Sequence, residues 1–92
     1  MPALSATEVA YHLVRVPDWK VENGELVCTF QFEDFRASMR FVNQVAGLAE
    51  TAAHHPDIDI RYDRVRLALV THDAGGLTAK DFDLAAKADE LL

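Results

Sequence analysis

Apolar positions along the chain recur at two intervals, and the switches between them mark out the elements. Leu4-Ser5-Ala6-Thr7-Glu8-Val9 has the form of a helix start, in which Ser5 caps, Glu8 closes a capping box and Leu4 staples to Val9. That helix has to stop before Pro17. Residues 19–22 and 25–32 then flank Asn23-Gly24, a dipeptide that accepts the positive φ angles of a two-residue hairpin turn. With Glu22 opposite Glu25, the register sets Val21 against Leu26 and Trp19 against Cys28. Leu26, Cys28, Phe30 and Phe32 share the apolar face, and Lys20, Val27, Thr29 and Gln31 the outer one.

From about residue 34 to residue 53 the interval becomes helical. Phe35, Met39, Val42, Ala46, Ala49 and Ala53 form one stripe, and Phe41, Val45, Leu48 and Ala52 a second. Together they widen the apolar arc to about half the circumference, more than one sheet contact requires. We therefore expect one stripe in the core and the other near an interface. Alternation returns in Ile58, Ile60 and Tyr62 and again in Val65, Leu67 and Leu69, a second hairpin expected to turn near Asp63-Arg64 with Ile58 opposite Leu69 and Asp57 opposite Val70. Leu77-Thr78-Ala79-Lys80-Asp81-Phe82 repeats the start signal, with Thr78 as cap, Asp81 at the third helical position and Leu77 stapling to Phe82. The order α-β-β-α-β-β-α predicts an α+β fold: a four-stranded antiparallel sheet with three helices on one face.

Ninety-two residues, half of them apolar, fit one domain over residues 1–92 with a thin core. Nine Lys plus Arg against fifteen Asp plus Glu give a formal net charge of -6, which opposes binding to nucleic acid or an anionic membrane. The opening MPALSATEVA has neither the basic start nor the apolar core of a leader, and no apolar run approaches a membrane span of about 20 residues. A soluble, cytoplasmic protein is expected. Cys28 stands alone, so neither an internal disulfide nor a thiolate metal cluster can form.

The candidate chemistry gathers at AETAAHHPDIDI, where His54 and His55 precede Pro56. Imidazoles are the side chains best suited to passing protons near neutral pH. Glu50 and His54 are four apart and share a helix face if the helix reaches that far, close enough to hydrogen-bond. The bland alternative has His54 favouring the helix C-terminal dipole and His55 solvated in the turn. His72 follows a strand that pairs with the one beginning after His55, so the hairpin brings it back towards the pair, and Gly75-Gly76 turns the chain into the helix that carries Asp81. Asp81 is equally a capping residue and Asp73 a solvated loop charge. A metal site is disfavoured because neighbouring histidines at a helix end do not aim at one point and no H-E-x-x-H pair exists. Neither a nucleophile elbow nor a phosphate-binding glycine loop is present.

Glu50-x-x-x-His54-His55-Pro56, Tyr62, His72 and Asp81 together resemble the pattern of the pterin-4a-carbinolamine dehydratase family, known also for a dimerisation-cofactor role. The likeness extends to Leu4-Ser5, Trp19, Phe30-x-Phe32, Phe35 and the turn Thr71-His72-Asp73-Ala74-Gly75-Gly76-Leu77-Thr78. It implies an α+β fold assembling into homodimers or homotetramers, with a pterin as substrate and no metal or organic cofactor. The implied reaction is dehydration of 4a-hydroxytetrahydropterin to quinonoid dihydropterin in tetrahydropterin recycling. The resemblance assigns acid/base work to His54 and His72, orienting or polarising roles to Glu50 and Asp81, and substrate contacts to His55, Pro56, Thr71 and Asp73. Ile58 departs from the pattern, since many animal members carry tryptophan there. A non-catalytic interaction or assembly module of the same fold is the alternative.

Overall fold

The computed structural model describes residues 2–92, and it contains three helices and four strands in the expected order. Helix α1 (Ala6–Leu13) begins at Ser5, whose hydroxyl accepts the Glu8 N–H at 3.2 Å while the Glu8 carboxylate accepts the Ser5 N–H at 2.8 Å. Strand β1 (Lys20–Glu22) turns through Asn23 (φ 51) and Gly24 (φ 79) into β2 (Glu25–Gln31), with Val21 opposite Leu26 and Glu22 opposite Glu25. Trp19 falls just before the strand and is pinned instead by its indole N–H donating to Asp89 at 3.0 Å. Helix α2 (Phe35–Ala52) is capped by Asp34, which accepts the Ala37 N–H at 2.8 Å. Strands β3 (Asp57–Arg61) and β4 (Arg64–Leu69) and helix α3 (Ala79–Asp89) complete the chain.

The sheet order is β1-β2-β4-β3, antiparallel throughout, so β2 and β4 are central. Leu26, Cys28 and Phe30 face Leu69, Leu67 and Val65 across the central pair, and this face packs with Phe41 and Val45 of α2 and Phe82 and Ala85 of α3. Val27 and Ala68 sit opposite each other on the other face, yet are only 2% and 4% exposed. Both are short side chains on the two central strands, flanked in register by Lys20 of β1 and Asp57 of β3.

Two expectations are corrected. The second hairpin turns at Tyr62-Asp63, not Asp63-Arg64: Arg61 pairs with Arg64 and Ile58 with Leu67, a shift of two residues that leaves the inward face unchanged. The Asp63 carbonyl accepts the Phe32 N–H at 2.8 Å, extending the β2–β4 ladder into the turn and holding the register there. Tyr62 accommodates by taking the left-handed conformation at φ 51. On α2 the buried side is centred between the two expected stripes: Ser38, Phe41, Val42, Val45 and Ala49 turn inward, while Phe35 stays 50% exposed and Ala46, Ala52 and Ala53 lie outside.

Candidate functional site

The site forms where α2 ends, β3 begins and β4 runs into α3. Helix α2 stops at Ala52 because Ala53 swings into the left-handed region (φ 52), and the His54 N–H bonds back to the Ala49 carbonyl at 3.1 Å, the backbone pattern of a Schellman close. This reversal takes His54 out of helical phase and corrects the Glu50–His54 pairing expected from the spacing. Glu50 reaches His55 instead, its Oε2 lying 2.5 Å from Nε2, in a pair with side chains 78% and 63% exposed.

His54 turns inward, its side chain only 11% exposed, and its Nε2 lies 2.6 Å from Oδ1 of Asp81. Asp81 is fully buried at the third position of α3. Its other oxygen accepts the Thr78 N–H at 2.9 Å and the Thr71 hydroxyl at 2.8 Å, and Thr78 Oγ1 lies 2.8 Å from Thr71 Oγ1. One carboxylate therefore both caps α3 and holds the His54 ring. An ionised carboxylate can only accept, so the contact puts a proton on Nε2 of His54, and in the neutral ring Nδ1 then keeps its lone pair. The Thr71 hydroxyl must likewise receive the Thr78 hydroxyl proton, since its own goes to Asp81. A buried negative charge in the first turn of α3 is also favoured by the helix dipole.

Ala53, His54, His55, Val70, Thr71, His72, Asp73 and Lys80 line one cleft of about 270 Å³, near the lower end of the size of small-molecule sites. His72 opens a 3-10 turn (His72–Ala74) that is closed by Gly75 at φ 73, a conformation that favours glycine, and Thr71 is bridged to Gly76. The chain thus places the three histidines on one cleft, with Glu50 and Asp81 standing behind His55 and His54. Thr71 lines the cleft but has its hydroxyl engaged by Asp81. Asp73 is on the wall, whereas Pro56 is half-buried and off it. Tyr62 lies at the far end of β3, about 17 Å of strand from Asp57.

Lys80 and Val70 were not singled out from the sequence. Lys80 also lines a neighbouring hollow with His54, Asp83 and Lys87, and its signal was available: a lysine in the first turn of a helix opposes the helix dipole. The remaining histidine, His12, stacks on Phe82 with ring centroids 5.1 Å apart and is a packing residue. Cys28 is 8% exposed, and burial, reinforced by the Asp89 and Asp18 charges, pushes its thiol up to about 11. It is no nucleophile near neutral pH. Among the described residues no three His, Cys, Asp or Glu side chains are grouped to hold a metal ion, and no helix is long and apolar enough to cross a membrane.

The family described as pterin 4 alpha carbinolamine dehydratase matches residues 2–91 of the chain. A protein of Chloroflexus aurantiacus, provisionally named a pterin-4-alpha-carbinolamine dehydratase, is 62% identical over 92 residues, spanning 100% of this chain and 99% of its own. A relative in Acidobacterium capsulatum with the same provisional name is 56% identical over 92 residues, spanning 100% of both. Among solved structures, a transcriptional coactivator/pterin dehydratase from Brucella melitensis superposes with a TM-score of 0.93 at 30% identity, covering 97% of each chain. A pterin dehydratase-like protein identified as a RuBisCO assembly factor in the alpha-carboxysome shares the fold, with a TM-score of 0.65 at 23% identity over 79% of this chain and 84% of that one. With a match across nearly all its length and relatives above half identity, this chain belongs to the pterin 4 alpha carbinolamine dehydratase family.

Proposed function

We infer that the chain catalyses dehydration of a 4a-hydroxytetrahydropterin to the quinonoid dihydropterin, the step that returns a spent tetrahydropterin to its cycle. The observation that carries this reading is the buried His54–Asp81 bond at the wall of a cleft that His72 also lines. In the reaction the C4a–O bond breaks with its electron pair going to oxygen, which takes up a proton and leaves as water. A ring nitrogen gives up its proton, and the electrons of that N–H bond enter the new C=N bond. One proton is delivered and one removed, so two groups able to exchange protons near neutral pH suffice, and His54 and His72 fill those places. Asp81 sets the tautomer of His54. His55, held by Glu50, contacts the pterin with Asp73, and no metal or organic cofactor is required.

The test is turnover of freshly generated 4a-hydroxytetrahydropterin, followed by stopped-flow absorbance. His54→Ala and His72→Ala should each lower the rate roughly a hundredfold to ten-thousandfold, the range for losing a general acid or base. If both variants fold and keep the full rate, the acid/base reading fails. If the unaltered chain shows no turnover above background, a non-catalytic interaction module is the better account.

Self-association belongs to the same reading. Phe35 is 50% exposed on α2 beside a shallow hollow lined with Met39, and edge strands β1 and β3 carry unpaired backbone groups. A homodimer or homotetramer would cover both. Light scattering at micromolar concentration decides this, and an active monomer of about 10 kDa, against the 10.2 kDa chain mass, would refute it.

A further inference from the structure

The face of the sheet turned away from the helices carries a second feature, remote from the histidines. Arg61 and Arg64 are the closing pair of the β3–β4 hairpin and stand directly opposite each other. Arg66, two positions along β4, opposes Thr29 on one side and Asp59 on the other. By strand alternation all five side chains belong to the same face, and they line one hollow of about 350 Å³. The hollow sits at the turn end of the hairpin, about 13 Å of strand from the row of Asp57 and Ala68 where the dehydratase cleft begins.

Like charges set directly across two strands destabilise a sheet. The compensation within the chain is partial. Asp59 accepts from Arg61 Nε at 3.0 Å, Glu22 lies 3.5 Å from Arg66, and Arg64 is in none of the ion pairs among the described residues. Asp63, in the turn, is taken by the Gln31 amide at 3.4 Å. Three arginines therefore line a hollow beside one carboxylate, in a chain whose formal net charge is -6. A third of the chain's nine basic residues are gathered at this one hairpin end, and Arg64 among them has no acidic partner within the described residues.

We propose that this hollow binds a small phosphate monoester, with Arg61, Arg64 and Arg66 donating to the phosphoryl oxygens. A tetrahedral phosphoryl group offers three oxygens to forks arriving from three directions, whereas a carboxylate presents two in one plane. The volume exceeds what one phosphoryl group fills, which leaves room for the esterified portion, and the Thr29 hydroxyl is a further donor at the rim.

The test uses the full chain, with inorganic phosphate and phenyl phosphate titrated at constant ionic strength against chloride. Amide shifts confined to residues 29, 59, 61, 64 and 66 should saturate, with phenyl phosphate the tighter probe, and Arg64→Gln should weaken both at least tenfold. Arg36→Gln, on α2, should leave them unchanged. The thermal midpoints should also cross: without phosphate Arg64→Gln melts higher than the unaltered chain, because a like-charge contact is gone, and with saturating phosphate it melts lower. Non-saturating shifts, an equal response to chloride, or equal weakening by Arg36→Gln would overturn the proposal. So would movement of the Arg64 and Arg66 amides, on the inner strand β4, with protein concentration alone, which would make a second copy of the chain the occupant.

Discussion

His54 Nε2 and Asp81 Oδ1 lie 2.6 Å apart across 27 positions of sequence, and the carboxylate that makes this contact also accepts the Thr78 N–H that opens α3. One buried group thus orients the candidate catalytic ring and closes the helix that carries it. The two roles can be separated by substitution.

Asp81→Asn should keep the cap and spoil the ring. Two donors, Thr78 N–H and Thr71 hydroxyl, require the amide oxygen on their side, which turns the amide NH2 towards His54 and pushes the ring proton onto Nδ1. Dehydration should fall by roughly a hundredfold or more while the fold survives. Nitrogen-15 shifts of the His54 ring report the tautomer independently of activity. An unchanged tautomer with an unchanged rate would remove Asp81 from the mechanism.

Lys80→Met should raise stability and weaken substrate binding. Lys80 is the second residue of α3, is in no ion pair among the described residues, and opposes the helix dipole, at a cost of about 0.3–1 kcal/mol. If Lys80 meets the substrate at the cleft wall, its loss should also be felt in binding. The expected pattern is a higher melting midpoint with an increased KM and a kcat little changed. A lower midpoint, or a KM that does not move, would show that Lys80 is a solvated surface residue.

Glu50→Gln separates the exposed pair from the buried one. With side chains 78% and 63% exposed, the Glu50–His55 contact contributes at most about 1 kcal/mol, so urea unfolding should shift by no more than that. If His55 contacts the pterin, KM should rise severalfold and kcat stay within about threefold. A loss of kcat as large as that of His54→Ala would move Glu50 and His55 into the proton-transfer steps.

Cys28 gives the fold a dependence on alkaline pH. Its thiol is raised from 9.0 to about 11, so the folded state favours the protonated form. That contribution is complete below pH 9.0 and fades as pH climbs through about 11, because the unfolded chain ionises first. The stability gap between the unaltered chain and Cys28→Ala should narrow over this window. Native Cys28 should also resist a disulfide reagent at pH 8, and labelling as fast as that of a free thiol would contradict its burial.

Local chemistry carried much of the fold into the sequence. Ser5 with Glu8, and Asn23 with Gly24, act on neighbours within three residues, so their structures could be written from the residue names, down to the pairing of Glu22 with Glu25. Alternation likewise placed Leu26, Cys28, Phe30, Val65 and Leu67 on the packed face, because strand period does not depend on what the strand meets. It could not choose between turns at Tyr62-Asp63 and Asp63-Arg64, since a shift of two keeps every side chain on its face. The contact from Phe32 N–H to the Asp63 carbonyl made that choice.

The sequence by itself determined the element order, the inward faces and the set of histidines and carboxylates available for chemistry, because each rests on periodicity or on short-range hydrogen bonding. Only the tertiary structure decided partners. Ala53's reversal handed His55 to Glu50 and His54 to Asp81, the sheet chose Phe41 and Val45 over Phe35 as the core side of α2, and the β3–β4 register set Arg61 against Arg64. Each of these outcomes depends on where a second segment, distant in sequence, comes to rest, and on the free energy of packing and desolvation shared between the two.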